Sequence, residues 1–324
     1  MIKAECTAWD MSRSKLLRIP ASDLSVEEPW LFWSQEPSDA LRASLESCGQ
    51  LEPVLVDAGS TPRLVAGASR VRALQQLGRD VWCLQLGDLD AWDKGRTYLH
   101  ANAGRERTEG RVVQSLRYFS ALNQPERMEE IYSDLGLILR SKPRRIMEAW
   151  MTLPVAWDDL LFGGNIPAAC AELLVRFAPK DLGDLFRIFE NLSWSRGNAV
   201  NLLTWVHEIC IRDGIDVEHV LRAIDVPALF AAGLSPKDCM SRLGHAVRKL
   251  RFPVLCAKEA AFETLAKSVS SGTRWRITQP DQFESGAVDL AIRIGSGEDV
   301  ERACRDLTAV AAHPSWKEYW SAEG

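Results

Sequence analysis

The most informative stretch of the chain is LVAGASRVRALQQLG, residues 64–78. A short apolar run leads through Gly67 into a helix with apolar residues at three-residue spacing, which ends at Gly78. The first turns of this helix carry Arg70 and Arg72. Free N–H groups at a helix N-terminus and guanidinium groups both bind anions. The stretch therefore predicts a turn that can hold a phosphate, although taken alone it also fits a turn glycine followed by solvated arginines.

Elements on both sides of this stretch predict a small α+β unit. The residues KLLRIP (15–20) predict a strand, and Ser38 is suited to cap a helix that follows it. Apolar runs at residues 53–56 and 63–66 flank a turn that contains glycine, which predicts a β-hairpin. A further strand is predicted at residues 81–86, after the arginine-bearing helix.

The rest of the sequence divides into two further sections. From residue 90 to about 250 the apolar spacing is helical, which predicts a bundle of helices. The last part predicts a helix near residues 259–267, strands at 274–278 and 288–294, and a helix from Gly297. We therefore predict an α+β protein with three domains, at residues 1–104, 105–250 and 251–324.

The composition narrows the class of protein. The chain has 324 residues, of which 46% are hydrophobic and 26% charged, as in folded proteins. The first twenty residues lack a signal-peptide pattern, and no window approaches about 20 consecutive apolar residues, so we expect a cytoplasmic protein without membrane association. The eight cysteines show no metal-ligand spacing, and we expect buried thiols and no metal site.

A basic cluster predicts a contact with DNA. The formal net charge of the chain is -5, but residues 101–150 carry 9 Lys and Arg against 7 Asp and Glu. Within this section Ser141 can cap a helix whose start is rich in cations, where a recognition helix meets phosphates and base edges. The candidate DNA-binding residues are Arg140, Lys142, Arg144 and Arg145. The same pattern also fits a solvated cationic helix start.

Three motifs in the N-terminal part resemble, in order, the boxes of the ParB family. GQLEPV (49–54) stands where the family has its turn, GASRVRA (67–73) stands at its arginine box, and ANAGR (101–105) stands at its third box. Helices predicted near residues 128–135 and 141–151 resemble the family's helix-turn-helix. The combined spacing is more specific than any single box.

The resemblance, over about residues 12–210, implies a ParB/sulfiredoxin-like N-terminal domain and a helical DNA-binding domain with a helix-turn-helix. The small α+β C-terminal domain predicted from the apolar pattern lies outside the resemblance, and its role is unassigned. It implies a nucleoside triphosphate as ligand, CTP with Mg²⁺, and double-stranded DNA and a second copy of the chain as partners. Such a protein acts in chromosome or plasmid partition, or in DNA-linked regulation, at the nucleoid. The nucleotide-binding positions that the resemblance assigns are Gly67, Ser69, Arg70, Arg72, Asn102 and Arg105.

Three departures from the family pattern lower the expectation of catalysis. Ala68 and Ser69 replace the glutamate and first arginine of the second box, and Ala101 replaces the glutamate of the third. Alanine can neither orient a water nor hold a metal ion, so we expect slow or absent hydrolysis and assign no catalytic residue. Sulfiredoxin chemistry is excluded because Ala68 stands where that reaction needs a thiolate.

Two other functions stay open at this point. One is a nucleotide-dependent enzyme, such as a kinase or a nuclease, on the same fold. The other is an interaction scaffold in which the helical section has no role with DNA, because the net charge of residues 101–150 is modest. His100, beside the third box, is a further residue that could reach a nucleotide.

Overall fold

The structure is a computed structural model that describes residues 14–322. It divides into two compact units, residues 1–200 and 201–324. The division into three domains at residues 104 and 250 stays a prediction. Cys6, for which burial was predicted, lies outside the described residues.

A four-stranded mixed sheet forms the N-terminal part of the first unit. Its strands are β1 (Lys15–Pro20), β2 (Val54–Val56), β3 (Leu64–Ala66) and β4 (Asp80–Gln85). The strand order is β1-β4-β2-β3, with β2 parallel to β4 and the other neighbours antiparallel. The predicted strands and the predicted hairpin between β2 and β3 are confirmed.

Two helices join these strands, and the residues at their ends explain their lengths. The helix α1 (Asp39–Cys48) begins after Ser38, whose Oγ accepts a hydrogen bond from the backbone N–H of Leu41 at 3.2 Å. The helix α2 (Ala68–Gln76) buries Val71 and Leu74, as the apolar spacing predicts. The small α+β unit predicted from the sequence is therefore present.

Helices make up the remainder of the first unit. They are α3 (Ala91–Ala101), α4 (Glu109–Ala121), α5 (Met128–Asp134), α6 (Lys142–Met151), α7 (Ala156–Phe162), α8 (Ala171–Leu174), α9 (Pro179–Asn191) and the start of α10 (Arg196–Asp213). A buried polar cluster ties three of them together. Arg117 of α4 donates to both carboxylate oxygens of Asp158 of α7, and Trp150 of α6 donates its indole N–H to Asp158 at 2.8 Å. The C-terminal end of α6 is thus held against α4 and α7.

A glycine allows α3 and α4 to approach closely. A Cβ built on Gly95 of α3 would collide with Tyr118 of α4 and lie 3.1 Å from Cζ of Phe119. Both aromatic rings would have to move to make room for such a Cβ atom. The separation of these two helices therefore depends on the missing side chain at position 95.

A buried ion pair joins the sheet to α3. Lys94 Nζ lies 2.6 Å from Oδ2 of Asp57, and each side chain is 4% exposed. Burial alone would raise the pKa of Asp57, but hydrogen bonds from Lys94 and from the backbone N–H of Arg63 lower it below its ordinary value. The pair is therefore charged, and removal of either partner would leave a buried charge.

The second unit combines helices with a two-stranded antiparallel sheet. Beyond the end of α10 its elements are α11 (Val217–Ala223), α12 (Val226–Ala231), α13 (Pro236–Arg251), α14 (Pro253–Ser270), β5 (Arg276–Thr278), β6 (Asp289–Ala291), α15 (Gly297–Ala311) and α16 (Ser315–Ala322). One hydrophobic cluster of this unit consists of the buried residues Phe262, Val269, Ile277, Val310 and Trp316. The predicted α+β fold class is confirmed. Across residues 14–322, no helix is long and apolar enough to span a bilayer.

The cysteines depart in part from the prediction. Burial raises the pKa of the Cys83 thiol to about 11 and that of Cys170 to about 12, which keeps both thiols protonated. The predicted burial is wrong for Cys48, at the end of α1, and for Cys304, on α15, because both side chains lie on solvent-facing surfaces.

Candidate functional site

The turn into α2 requires glycine. Gly67 has φ +105°, and a Cβ at this position would lie 2.6 Å from Cγ1 of Val54 in the neighbouring strand. The carbonyl of Gly67 accepts hydrogen bonds from the backbone N–H groups of Arg70 and Val71, at 2.9 and 3.1 Å. The backbone therefore turns sharply from β3 into α2 and fixes the direction of the residues that follow.

Ser69 and Arg72 both donate hydrogen bonds to a short segment that precedes α1. We call this segment, Ser34–Glu36, the strap. Ser69 Oγ donates to the Gln35 carbonyl at 3.0 Å. Arg72 Nη1 donates to Ser34 Oγ at 2.8 Å and to the Gln35 carbonyl at 3.0 Å. Two of the predicted nucleotide-binding side chains are thus engaged by neutral oxygens of the strap.

The third box approaches the same place. Arg105 Nη1 donates to the carbonyl of Trp33, immediately before the strap, at 3.3 Å. Beneath them lies Tyr98, which is 2% exposed. Burial raises the pKa of Tyr98, while the positive charges of Arg105, Arg111 and Arg72 oppose that rise. Three guanidinium groups therefore act electrostatically on the same buried hydroxyl.

Two other predicted residues turn away from the strap. Arg70 donates to Oε2 of Glu52 at 2.7 Å and to the Pro53 carbonyl at 3.2 Å. The side-chain amide of Asn102 donates to the Tyr98 carbonyl at 2.8 Å, within its own helix. The structure thus brings Gly67, Ser69, Arg72 and Arg105 together, while Arg70 and Asn102 make their contacts elsewhere.

Sequence reasoning missed Arg111 and the strap. Arg111 Nη2 lies 3.3 Å from Gln35 Oε1, and its Nη1 donates to the Glu106 carbonyl at 2.6 Å. A cleft of about 580 Å³ opens beside these groups, between the strap and the start of α4. The available signal was Thr108, which caps α4 and so directs Arg111 in its first turn towards the third box. For the strap, no local pattern marked the contact with α2.

The residues at the third box do not fit a protein-held Mg²⁺ ion. Ala101 offers no oxygen ligand on its side chain, and Asn102, whose side-chain N–H donates to the Tyr98 carbonyl, offers a neutral amide oxygen and no carboxylate. Mg²⁺ is ordinarily held by one or two carboxylates together with phosphate oxygens. Among residues 14–322, no group of three or more His, Cys, Asp or Glu could hold a metal ion. We therefore assign no metal ligand in the box.

His100 has a partner outside the box. Its Nε2 lies 3.2 Å from Oδ2 of Asp134 in α5, and the same carboxylate accepts a hydrogen bond from Arg96 Nε at 2.7 Å. These contacts connect α3, which ends at the third box, to the helix before α6. His100 is thus positioned towards α5.

The start of α6 contains one buried arginine. Arg144 is 7% exposed, and its guanidinium donates to both carboxylate oxygens of Glu129 at 2.7 and 2.8 Å and to Glu148 at 2.8 Å. The guanidinium also lies 4.1 Å from the ring centroid of Tyr132. Hydrogen bonds from the two glutamates raise the pKa of Arg144. Its geometry is that of a residue that joins α5 to α6, and it disfavours the predicted contact with DNA.

The other three predicted cations at this end face solvent. Arg140, with φ +63°, and Lys142 are exposed, and neither forms an ion pair with another residue of the range 14–322. Arg145 is 55% exposed and makes a long contact of 3.4 Å with Glu172. Ser141 caps α6 as predicted, accepting from the backbone N–H of Arg144. The two predicted helices α5 and α6 are present, and a helix-turn-helix stays our interpretation of them.

A second basic cluster lies in the other unit, near the end of α13. Arg248 donates to both oxygens of Glu259 at 2.6 Å, and Arg251 donates to Glu208 at 2.6 Å. Both charges are therefore compensated within the fold. This pairing makes the cluster a weaker candidate for a polyanion surface than the start of α6.

Comparisons with known proteins point to ParB structures. No family model and no curated protein matches the sequence. A C-terminally truncated chromosome-partitioning protein ParB from Caulobacter crescentus, complexed with CTP-gamma-S, is 19% identical, with a TM-score of 0.24. That match covers 53% of this chain and 98% of the other.

Two further matches are also ParB structures. The truncated Caulobacter ParB complexed to the centromeric parS site is 18% identical over 63% of this chain and 95% of the other, with a TM-score of 0.35. A Pnob8-like ParB-N domain is 16% identical over 59% of this chain and 89% of the other, with a TM-score of 0.35. All three are structures of the family that the motifs in residues 49–105 resemble.

Proposed function

We propose that this chain is a ParB-like DNA-binding protein whose N-terminal part binds a nucleoside triphosphate. The single observation that supports it most is the exposure of Arg140, Lys142 and Arg145 at the start of α6, a helix that Arg144 joins to Glu129 of α5. In this proposal the protein acts on DNA inside the cell, in partition or in DNA-linked regulation. A second copy of the chain is the expected partner.

The physical basis of the DNA contact is a set of exposed cations. Arg140 and Lys142 form no ion pair among residues 14–322, and Arg145 has only a long contact with Glu172. Each phosphate that such a cation neutralises releases a condensed counterion. Arg144 contributes indirectly, since its bonds to Glu129 and Glu148 orient the helix. Arg140, Lys142 and Arg145 are therefore the residues that we propose to contact the duplex.

A salt-dependent titration tests the contact with DNA. The triple variant Arg140→Ala, Lys142→Ala, Arg145→Ala should bind a DNA duplex far more weakly, with a salt slope lower by about three units. The matched control is a triple variant at Lys237, Arg242 and Lys249 on α13 of the second unit. Equal losses in the two triple variants, or an unchanged salt slope in the first, would place the DNA surface elsewhere.

The nucleotide proposal concerns the α2 turn and the third box. We propose that Gly67, Ser69, Arg72 and Arg105 bind the phosphates, and that Arg70 and Asn102 join them after leaving their present partners. Arg72, Arg105 and Arg111 all donate to residues 33–35, and this convergence supports an anionic ligand there. CTP is the nucleotide to test first because the motifs resemble those of ParB. Calorimetry with CTP, ATP and GTP measures whether any binds and which binds tightest.

The competing proposal is an enzyme on the same fold. Ala101 and the absence of an assigned metal ligand in the box argue for binding with slow or absent turnover. Release of inorganic phosphate from CTP by the purified protein distinguishes the two proposals. Turnover that disappears in an Asn102→Ala variant would favour the enzyme.

A further inference from the structure

The strap accepts hydrogen bonds from the same side chains that a phosphate chain would need. Ser69 Oγ, Arg72 and Arg111 all donate to it. Its acceptors are the Ser34 hydroxyl, the Gln35 carbonyl and the Gln35 side-chain oxygen. Oxygen acceptors that face guanidinium and hydroxyl donors occupy the positions that phosphate oxygens would take.

A carboxylate of the strap adds charge to this arrangement. Glu36 Oε1 lies 3.7 Å from Nε of Arg72, and the Glu36 side chain is 77% exposed. An exposed ion pair at that distance is weak. The strap is thus bound to the box by several modest contacts, each of which an anion could replace.

The ends of the strap are fixed, while its middle is accessible. Trp33 is 2% exposed and donates its indole N–H to the Arg111 carbonyl at 2.8 Å. Pro37 on the other side is buried. Gln35 and Glu36 between them are exposed. The middle of the strap can therefore turn outward while both flanks stay in the core.

We propose that the strap is a built-in competitor, which must leave the arginine box before a phosphate chain binds and which restricts the box to ligands with several phosphates. This inference rests on the proposed nucleotide function. The donors that the strap engages come from both α2 and α4, so a single phosphate cannot satisfy all of them once the strap has left. A chain of phosphates spans both helices and replaces every lost contact.

The test uses inorganic polyphosphates, which carry the proposed chemistry without a base. Calorimetry on the full chain should show tripolyphosphate binding at least about tenfold more tightly than orthophosphate, with pyrophosphate between them. The double variant Ser34→Ala, Glu36→Gln removes one strap acceptor and the negative charge of the strap, while it leaves every donor intact. Its affinity for tripolyphosphate should rise about tenfold, because less free energy is needed to displace the strap.

Glu46→Gln is the matched control, since Glu46 is an exposed carboxylate on α1. It removes the same charge without touching the strap and should change affinity less than about twofold. An equal gain in both variants would show a general charge effect and overturn the inference. If wild type binds tripolyphosphate and the double variant binds it no better, the strap inference is wrong and the nucleotide proposal still stands. If neither wild type nor either variant binds any of the three anions, both the nucleotide proposal and the strap inference are wrong.

Hydrogen exchange on the wild-type protein gives a second readout. The Ser34 amide donates to the Leu31 carbonyl at 2.8 Å in the present arrangement. Saturating tripolyphosphate should speed exchange at Ser34 and its neighbours in the strap, while exchange in the sheet stays constant. Binding with unchanged or slower exchange at the strap would mean that the anion sits elsewhere or that the strap stays in place.

Discussion

Arg72 near the start of α2 and Arg144 near the start of α6 have partners that differ in kind. At α2, Arg72 donates to a hydroxyl and a backbone carbonyl, and the nearest carboxylate is 3.7 Å away. At α6, Arg144 forms ion pairs with Glu129 and Glu148. Neutral acceptors satisfy the hydrogen bonds of an arginine but leave its charge uncompensated, whereas carboxylates cancel it. Availability of an arginine for an anion therefore depends on its partners.

The largest expected effect is on stability at α6. Arg144→Ala removes the charged hydrogen bonds to Glu129 and Glu148, and it should lower the free energy of unfolding by about 3 kcal/mol. Urea unfolding followed by circular dichroism measures the loss, with Arg145→Ala as the control in the same helix. A loss below about 1 kcal/mol for Arg144→Ala would remove the contrast between the two helix starts.

A smaller loss is expected at α2. Arg72→Ala removes hydrogen bonds to Ser34 and Gln35, whose oxygens can be hydrated instead, so the free energy of unfolding should fall by about 1–2 kcal/mol. The same urea experiment measures it beside Arg144→Ala. If the two losses are equal, the neutral partners at α2 are as firmly held as the carboxylates at α6.

The two helix starts should also differ in acid. The hydrogen bonds from Arg144 hold the pKa of Glu129 below its ordinary value of 4.5. A carboxyl with a lowered folded pKa adds stability above its unfolded pKa, and that contribution is lost as pH falls through the folded pKa. The difference in Tm between wild type and Arg144→Ala should therefore narrow below about pH 4.5. The difference between wild type and Arg72→Ala should stay constant there, and a narrowing of both would assign the acid effect to another group.

The smallest effect on stability belongs to Arg145, which should have the larger effect on DNA. Arg145→Ala should change the free energy of unfolding by less than about 0.5 kcal/mol, because its contact with Glu172 is long and exposed. In the proposed function it should lower the salt slope of DNA binding by about one unit. A duplex titration at several salt concentrations checks this, and an unchanged slope would exclude Arg145 from the interface.

Much of the fold could be predicted because the deciding signals are local. Apolar spacing and the residues Ser38, Gly67 and Ser141 mark where the strands and helices of the first unit begin. Each of these residues acts through its own backbone conformation or through an N–H three residues away. Such signals are present in any short window of the sequence.

The roles of individual arginines depend on contacts that a short window does not contain. Glu129 lies 15 residues before Arg144 and meets it only when α5 and α6 pack together. Ser34 lies 38 residues before Arg72, and the strap reaches α2 because Trp33 is anchored in the core. Arg144 and Arg145 therefore look alike in the sequence, although one is buried and the other exposed.

The close approach of α3 and α4 at Gly95 has a consequence for how variants of this protein would be interpreted. The third box lies between these helices, so the position of Arg105 relative to Arg111 depends on the absence of a Cβ atom at Gly95. A single added methyl group there would act as a wedge against Tyr118 and shift the box as a whole. In the proposed function, such a variant would lose nucleotide binding although every proposed binding residue is unchanged. The cause would be the altered spacing of α3 and α4.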